Sequence, residues 1–261
     1  MSIALQVALV MVTILVVLLV IGAPIGVAIG MSSAVSMICM IPADVSFATS
    51  AQRIFAGSNS FSLIAIPFFI LAGNIMNNGG IATRLVNCAK VISGRMPGAL
   101  AQSNVVANML FGAISGSGAA AAAAMGGTIG PLEEKEGYDK NYSTAVNVAS
   151  APVGMLIPPS NTMIVYSSVA GSVSIAALFM AGYIPGLLWG GAVMILAGIM
   201  AKKRGYQAEQ RVPVKVALKT FWQAIPSLLL IVIVIGGILG GIFTATEGSA
   251  IAVVYATVLS L

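Results

Sequence analysis

Two short runs carry most of the oxygen chemistry in this chain: Ser115-Gly116-Ser117-Gly118 and Gly154-Met155-Leu156-Ile157-Pro158-Pro159-Ser160-Asn161. Ser115, Ser117, Ser160, Asn161 and Thr162 offer side-chain oxygens, and the glycines let backbone carbonyls approach an ion closely. Such a set suits a hard cation such as Na⁺ and offers nothing softer. Where a helix is interrupted, the carbonyls ending one half attract a cation, and the N–H groups opening the next attract a carboxylate. Both runs interrupt apolar stretches, 98–131 and 142–170. Pro158-Pro159 breaks the second outright, because proline removes a helical donor and crowds the preceding turn. A lone Ser/Gly run would be read as close helix packing in lipid. Two interruptions together point to an ion and anion site, because unpaired backbone at membrane depth is tolerated only inside protein or beside a polar cavity.

Other chemistry is scarce. The chain has no His, which removes the usual general base and the commonest metal ligand. Cys39 and Cys88 have no CxxC partner, and neither a phosphate-binding loop nor a dinucleotide turn occurs. A nucleophilic Ser115 or Ser117 would need an adjacent base, and every Lys sits at the edge of an apolar block or beyond it. Catalysis and a bound cofactor are therefore not expected. Glu133, Glu134, Glu136 and Asp139, interleaved with Lys135 and Lys140, read as a solvated loop. Glu247 reads as a cap for a helix starting near Gly248. The GxxxG spacings at Gly22/Gly26/Gly30, Gly182/Gly186/Gly190 and Gly236/Gly240 read as packing.

The elements that hold these residues follow from charge. Of 261 residues, 59% are hydrophobic and 7% charged, against about 25% charged in ordinary soluble domains. No charge occurs in 1–43, 54–83, 96–132 or 141–201. Each of these blocks can supply the roughly 20 apolar residues that cross a bilayer. Helices are expected near 3–21, 24–41, 61–78, 174–201 and 221–243, with another starting at 248. The first is read as a retained helix rather than a cleaved leader, since it has no basic start. Segments 43–56 and 80–95 are amphipathic and fit helices lying along the interface. The net charge of +5 comes from basic residues flanking the apolar blocks, so no nucleic-acid partner is expected.

Orientation decides how 98–131 is folded. Basic residues mark the cytoplasmic side, and two segments are basic: 79–97 and 202–219. If 98–131, 142–170 and 174–201 all crossed, these would lie on opposite sides. A re-entrant hairpin at 98–131 leaves two crossings and puts both in the cytoplasm. Five crossings then precede 202–219, the N-terminus is outside, and helix 221–243 runs opposite to helix 3–21, the parity of an inverted repeat. The expected fold is an all-α polytopic membrane protein with a re-entrant hairpin and a broken helix. Its second repeat is expected to lie largely beyond this sequence.

Four stretches carry a family resemblance: SFSLIAIPFFILAGNIMNNGGIA (60–82), NMLFGAISGSGAAAAAAMGG (108–127), APVGMLIPPSNTMIVYS (151–167) and GGIFTATEGSAIAVVYA (240–256). With them the chain resembles the N-terminal part of the large membrane subunit of tripartite ATP-independent periplasmic (TRAP) transporters. The resemblance implies a bacterial inner-membrane transporter driven by a Na⁺ gradient, importing an organic acid such as a C4-dicarboxylate or sialic acid. It implies an elevator mechanism, a small membrane subunit and a periplasmic binding protein that delivers substrate. By it, scaffold and interfacial arm helices occupy 1–97. A transport-domain hairpin and broken helix follow at 98–173, then a scaffold helix and cytoplasmic connection at 174–220. The second repeat starts within 221–261. A Na⁺ site is implied at Ser115, Gly116, Ser117, Gly118, Gly154, Met155, Pro158 and Pro159, with Ser160, Asn161 and Thr162 as substrate-binding candidates. The competing expectation is an ion channel or a structural membrane subunit with no transport site of its own.

Overall fold

The computed structural model describes residues 3–171, 173–206 and 213–260. They fall into two compact units, divided after Ser60. In the first, α1 (Ile3–Val20) is apolar on every face and buries none of its residues, the pattern of a helix solvated by lipid. Gly22, at φ +87°, turns the chain, and Pro24 sets the start of α2 (Ile25–Met37). The small residues Ala28, Ser32, Ala34 and Ser36 of α2 are buried. α3 (Ala43–Ser58) follows Pro42 and donates a hydrogen bond from Ser46 Oγ to the Ala34 carbonyl at 2.7 Å.

The second unit begins with a 3₁₀ turn at Phe61–Ile64, then α4 (Ala65–Asn78) and α5 (Ile81–Ser93). α5 is amphipathic, as its sequence pattern requires, but Ile81, Leu85, Val86 and Ala89 pack on protein rather than facing outward. Next come α6 (Ala99–Ser115), α7 (Gly118–Thr128) and α8 (Gly130–Lys135). The chain doubles back here: Ala121, Met125 and Ile129 share one core with Leu100, Ala101 and Val105 near the start of α6. The expected helical hairpin is therefore present, with its tip at Gly116–Ser117. The interrupted second stretch comprises α9 (Lys140–Ser150), α10 (Val153–Leu156) and α11 (Asn161–Ala170), its two halves bent by 50°.

Three long helices complete the unit: α12 (Ile175–Lys203), α13 (Val214–Leu239) and α14 (Ala245–Ser260). α13 starts seven residues before its expected position. Pro213 fixes its first turn, and Lys215 and Lys219, which end the apolar block, are ordinary helix formers. Arg211 and Glu209 of the basic connection lie outside the described residues. The Thr244–Glu247 pair caps α14: Glu247 Oε2 accepts from the Thr244 N–H at 2.7 Å, and Glu247 N–H donates to Thr244 Oγ1 at 3.3 Å. This is a reciprocal capping box one turn before the position expected from Gly248.

α6 is the centre of the unit, with 14 of its 17 residues buried. Phe111 faces the core shared with the hairpin's return arm, while Ile114 faces a second core with Phe69, Phe179 and Leu230. Four described helical segments are long and apolar enough to cross a membrane: Ile3–Val20, Phe61–Asn78, Ile175–Lys203 and Val214–Leu239. The bent pair α9–α10 with α11 makes a fifth when taken as one span. In contrast, α2, expected to cross over 24–41, has 13 residues and falls short of that length.

Candidate ion site between hairpin tip and helix break

The site is assembled by small residues. α6 and α10 meet backbone to backbone at Gly112 and Gly154, where a Cβ on Gly112 would lie 2.6 Å from Gly154 Cα. One turn further, Gly116 ends α6 at φ +61°, a conformation that costs an L side chain roughly 1–2 kcal/mol. A Cβ there would also meet the Asn161 backbone nitrogen at 3.0 Å. On α12, Gly182, Gly186 and Gly190 let Leu156, Ile157 and Met109 press close, so this GxxxG series seats the break. Gly22 and Gly26 have open space beside them instead, and Gly30 meets only Ile54 at 3.9 Å.

The result is an apposition of two interruptions. Asn161 Nδ2 donates to the Ser115 carbonyl at 3.4 Å, while Asn161 Oδ1 is buried with no hydrogen-bond partner. Ser115, 3% exposed, closes the C-terminal end of α6, where carbonyls are left over. Ser117 caps α7 by accepting from Ala120 N–H at 3.3 Å, and Ser160 caps α11 by accepting from Met163 N–H at 3.4 Å. Gly118 lies against the Met155 side chain, which also takes a 3.8 Å contact from Thr162 Oγ1. Ser115, Gly116, Gly118, Gly154, Met155 and Asn161 are thus gathered at one place. Pro158 is buried, and Pro159 lines an apolar gap with Phe69, Ile114 and Leu230.

Two further features lie beside the tip. A cavity of about 340 Å³ between α4 and the hairpin is lined by Asn74, Asn77, Phe111, Ser115, Ser117 and neighbouring small residues. Ser160, Asn161 and Thr162 are not among its lining residues. Below the tip, α6 and α9 share a buried polar network. Asn108 Nδ2 lies 2.9 Å from Asn104 Oδ1, 2.9 Å from Asn147 Oδ1 and 2.8 Å from Ser150 Oγ, and Asn147 Nδ2 donates to the Ala122 carbonyl at 2.9 Å. Sequence reading passed over these amides and the α4 pair. Their signal was available: Asn104 and Asn108 are polar residues four apart inside a charge-free block. The acidic loop is a correction. Glu133 is not solvated but 1% exposed, because the hairpin's return arm carries it inward beside α9.

Discontinuous helices facing one another recur in the architectures of secondary transporters. Comparison with known proteins narrows this. Residues 12–261 match the family model "Tripartite ATP-independent periplasmic transporter, DctM component", and the chain belongs to that family. It is 54% identical over 88% of its length to the uncharacterized protein YgiK of Salmonella typhimurium, covering 53% of that protein. It is 42% identical to the C4-dicarboxylate TRAP transporter large permease protein DctM of Vibrio cholerae, over 82% of this chain and 47% of that one. To the sialic acid TRAP transporter large permease protein SiaM of Vibrio cholerae it is 40% identical, over 80% and 49%. The chain spans about half the length of the curated relatives it matches.

Proposed function

We propose that this chain supplies the first ion site of a Na⁺-coupled importer of organic acids in a bacterial inner membrane. The observation that carries the reading is the apposition of Asn161 with the Ser115 carbonyl, which leaves a buried, unpartnered amide oxygen beside the end of α6. The donor set fits Na⁺: Asn161 Oδ1, Ser115 Oγ and the spare carbonyls of the tip and break are all hard oxygens. Their negative partial charge needs no carboxylate to attract a monovalent ion. In this reading the N-terminus is outside and the hairpin is re-entrant from the cytoplasm, supported by the basic flanks at 79–97 and 202–219.

Substrate identity follows from chemistry only as far as an anion. The cavity beside the tip has the volume of a small-molecule site, with hydrogen-bonding groups from Asn74 and Asn77 on α4 and from Ser117 at the start of α7. A carboxylate is favoured at such a helix start. Relatives named for C4-dicarboxylate and sialic acid transport agree with an organic acid. In this reading the hairpin and broken helix move as one body against scaffold helices, and a small membrane subunit and a periplasmic binding protein complete the system.

Uptake by proteoliposomes carrying the full transporter, small subunit and binding protein tests the proposal. Accumulation is expected with an inward Na⁺ gradient and is expected to vanish in choline. Equal uptake in choline with K⁺ and H⁺ gradients collapsed would refute Na⁺ coupling.

A further inference from the structure

A second polar cavity, of about 380 Å³, lies at the base of the hairpin and is lined by Asn104, Gly126, Pro131, Glu133, Tyr138 and Ser143 among others. Both carboxylate oxygens of Glu133 are buried without a hydrogen-bond partner, and so are Ser143 Oγ and the Asn104 amide nitrogen. Glu133 and Asn104 are each 1% exposed. An ionised carboxylate in such surroundings costs several kcal/mol unless a positive charge joins it. The other charged groups lining the cavity, Glu134 and Lys140, are both exposed, and among the described residues neither Lys140 nor any other cation forms an ion pair with Glu133.

We propose that Glu133 and Ser143 form a binding site for one monovalent alkali cation at the hairpin base, separate from the tip. One buried carboxylate balances one positive charge, whereas a divalent ion would leave an uncompensated charge. The ligands are carboxylate and hydroxyl oxygens; the Asn104 amide oxygen already accepts from Asn108 Nδ2 at 2.9 Å and does not join them. The distance from Asn104, in the cavity wall, to Ser115 along α6 is about 16 Å at 1.5 Å per residue, so the two sites cannot share an ion. The Asn104–Asn108–Asn147 amides line that interval, giving the space between them a polar face. Burial raises the Glu133 carboxyl to about 7 and nearby Glu136 adds to the rise, while the Ser143 hydroxyl, close by but outside hydrogen-bond geometry, opposes it. A proton therefore competes with the cation near neutrality.

Equilibrium binding of ²²Na⁺ to the full chain purified in detergent tests the site. At pH 8 the wild type should show a bound component that Glu133→Gln loses and Asn161→Ala keeps. Its apparent Kd should weaken about 30-fold between pH 8 and pH 5.5, as a group titrating near 7 requires. Should Glu133→Gln fail to fold, Ser143→Ala decides, with at least a several-fold weakening of the same component expected. Melting temperature is the second readout: Na⁺ in place of choline should raise it at pH 8 in wild type more than in Glu133→Gln. Undiminished binding in Glu133→Gln, or in Ser143→Ala where that variant decides, overturns this proposal. If Asn161→Ala alone then loses Na⁺, the tip site still stands. Loss in Glu133→Gln with no effect of Asn161→Ala supports the base site and counts against the tip, and no Na⁺ binding in wild type overturns both.

Discussion

Asn161 and Glu133 are buried polar groups with opposite electrostatic problems. Asn161 is neutral, and its amide has two ends with different fates: Nδ2 holds the Ser115 carbonyl while Oδ1 is left unpartnered. Asn161→Ala removes both, so the expected result is at least a tenfold loss of Na⁺ affinity at the tip, measured by ²²Na⁺ displacement, with the chain still folded. An unchanged titration would remove Asn161 from the ligand set. Glu133 carries a charge that the fold disfavours. Its pKa rises from 4.5 to about 7 through burial, so between those values the folded chain binds more protons than the unfolded one. Stability is therefore fully present below about pH 4.5 and falls as pH rises through 7. Glu133→Gln cannot ionise and should flatten this dependence. In choline buffer at pH 8 it should be more stable than wild type by about 2 kcal/mol, after allowing for water at the cavity mouth. At pH 4.5 the two should melt together. Parallel melting curves at every pH would show that the carboxylate is solvated after all.

Between elements, the decisive contact is made where side chains are missing. Gly154 packs its backbone against Gly112 and the Asn108 carbonyl, which a Cβ would approach at 2.9 Å. Neither helix has a flexible neighbour there to give way. Gly154→Ala and Gly112→Ala should each cost about 1–3 kcal/mol by overpacking, with a parallel loss of Na⁺ affinity as tip and break separate. The double variant should cost less than the sum, because the first methyl already opens the contact the second would strain. Gly127→Ala, on the same hairpin where no atom lies within 4 Å of the added methyl, should be neutral or mildly stabilising. Equal effects at all three positions would show that glycine content, not close approach, governs this region. Such contacts explain what sequence could and could not reveal. Pro158-Pro159 and the Gly/Ser run announce their breaks through backbone chemistry alone, so both interruptions were legible. Which charged residue of the loop is buried was not, because that depends on α9 packing beside the return arm. The seating of the break on Gly182, Gly186 and Gly190 was also hidden, since GxxxG spacing does not name its partner.

For the whole molecule, the placement of a few charges carries the topology. A re-entrant 98–131 puts Arg95, Glu134 and Lys203 on one side, because two crossings, the broken helix and α12, separate the last two. Met125 and Ile129 return beside Leu100 and Ala101 and do not continue away from them, as a hairpin requires. The fold also shows why hydropathy alone could mislead. α6 at 17 residues is about 25 Å long, nearly a bilayer core, yet it is buried by protein on almost every side. Cysteine labelling distinguishes the alternatives in a Cys39→Ser, Cys88→Ala background, with single cysteines at Arg95, Glu134, Gly171, Lys203 and Ile242. In right-side-out vesicles an impermeant maleimide should label positions 171 and 242, and label 95, 134 and 203 only after permeabilisation. Position 134 labelling from outside while 95 does not would make 98–131 a true crossing. That result would reverse the orientation of α11, and with it the side from which an ion reaches Asn161.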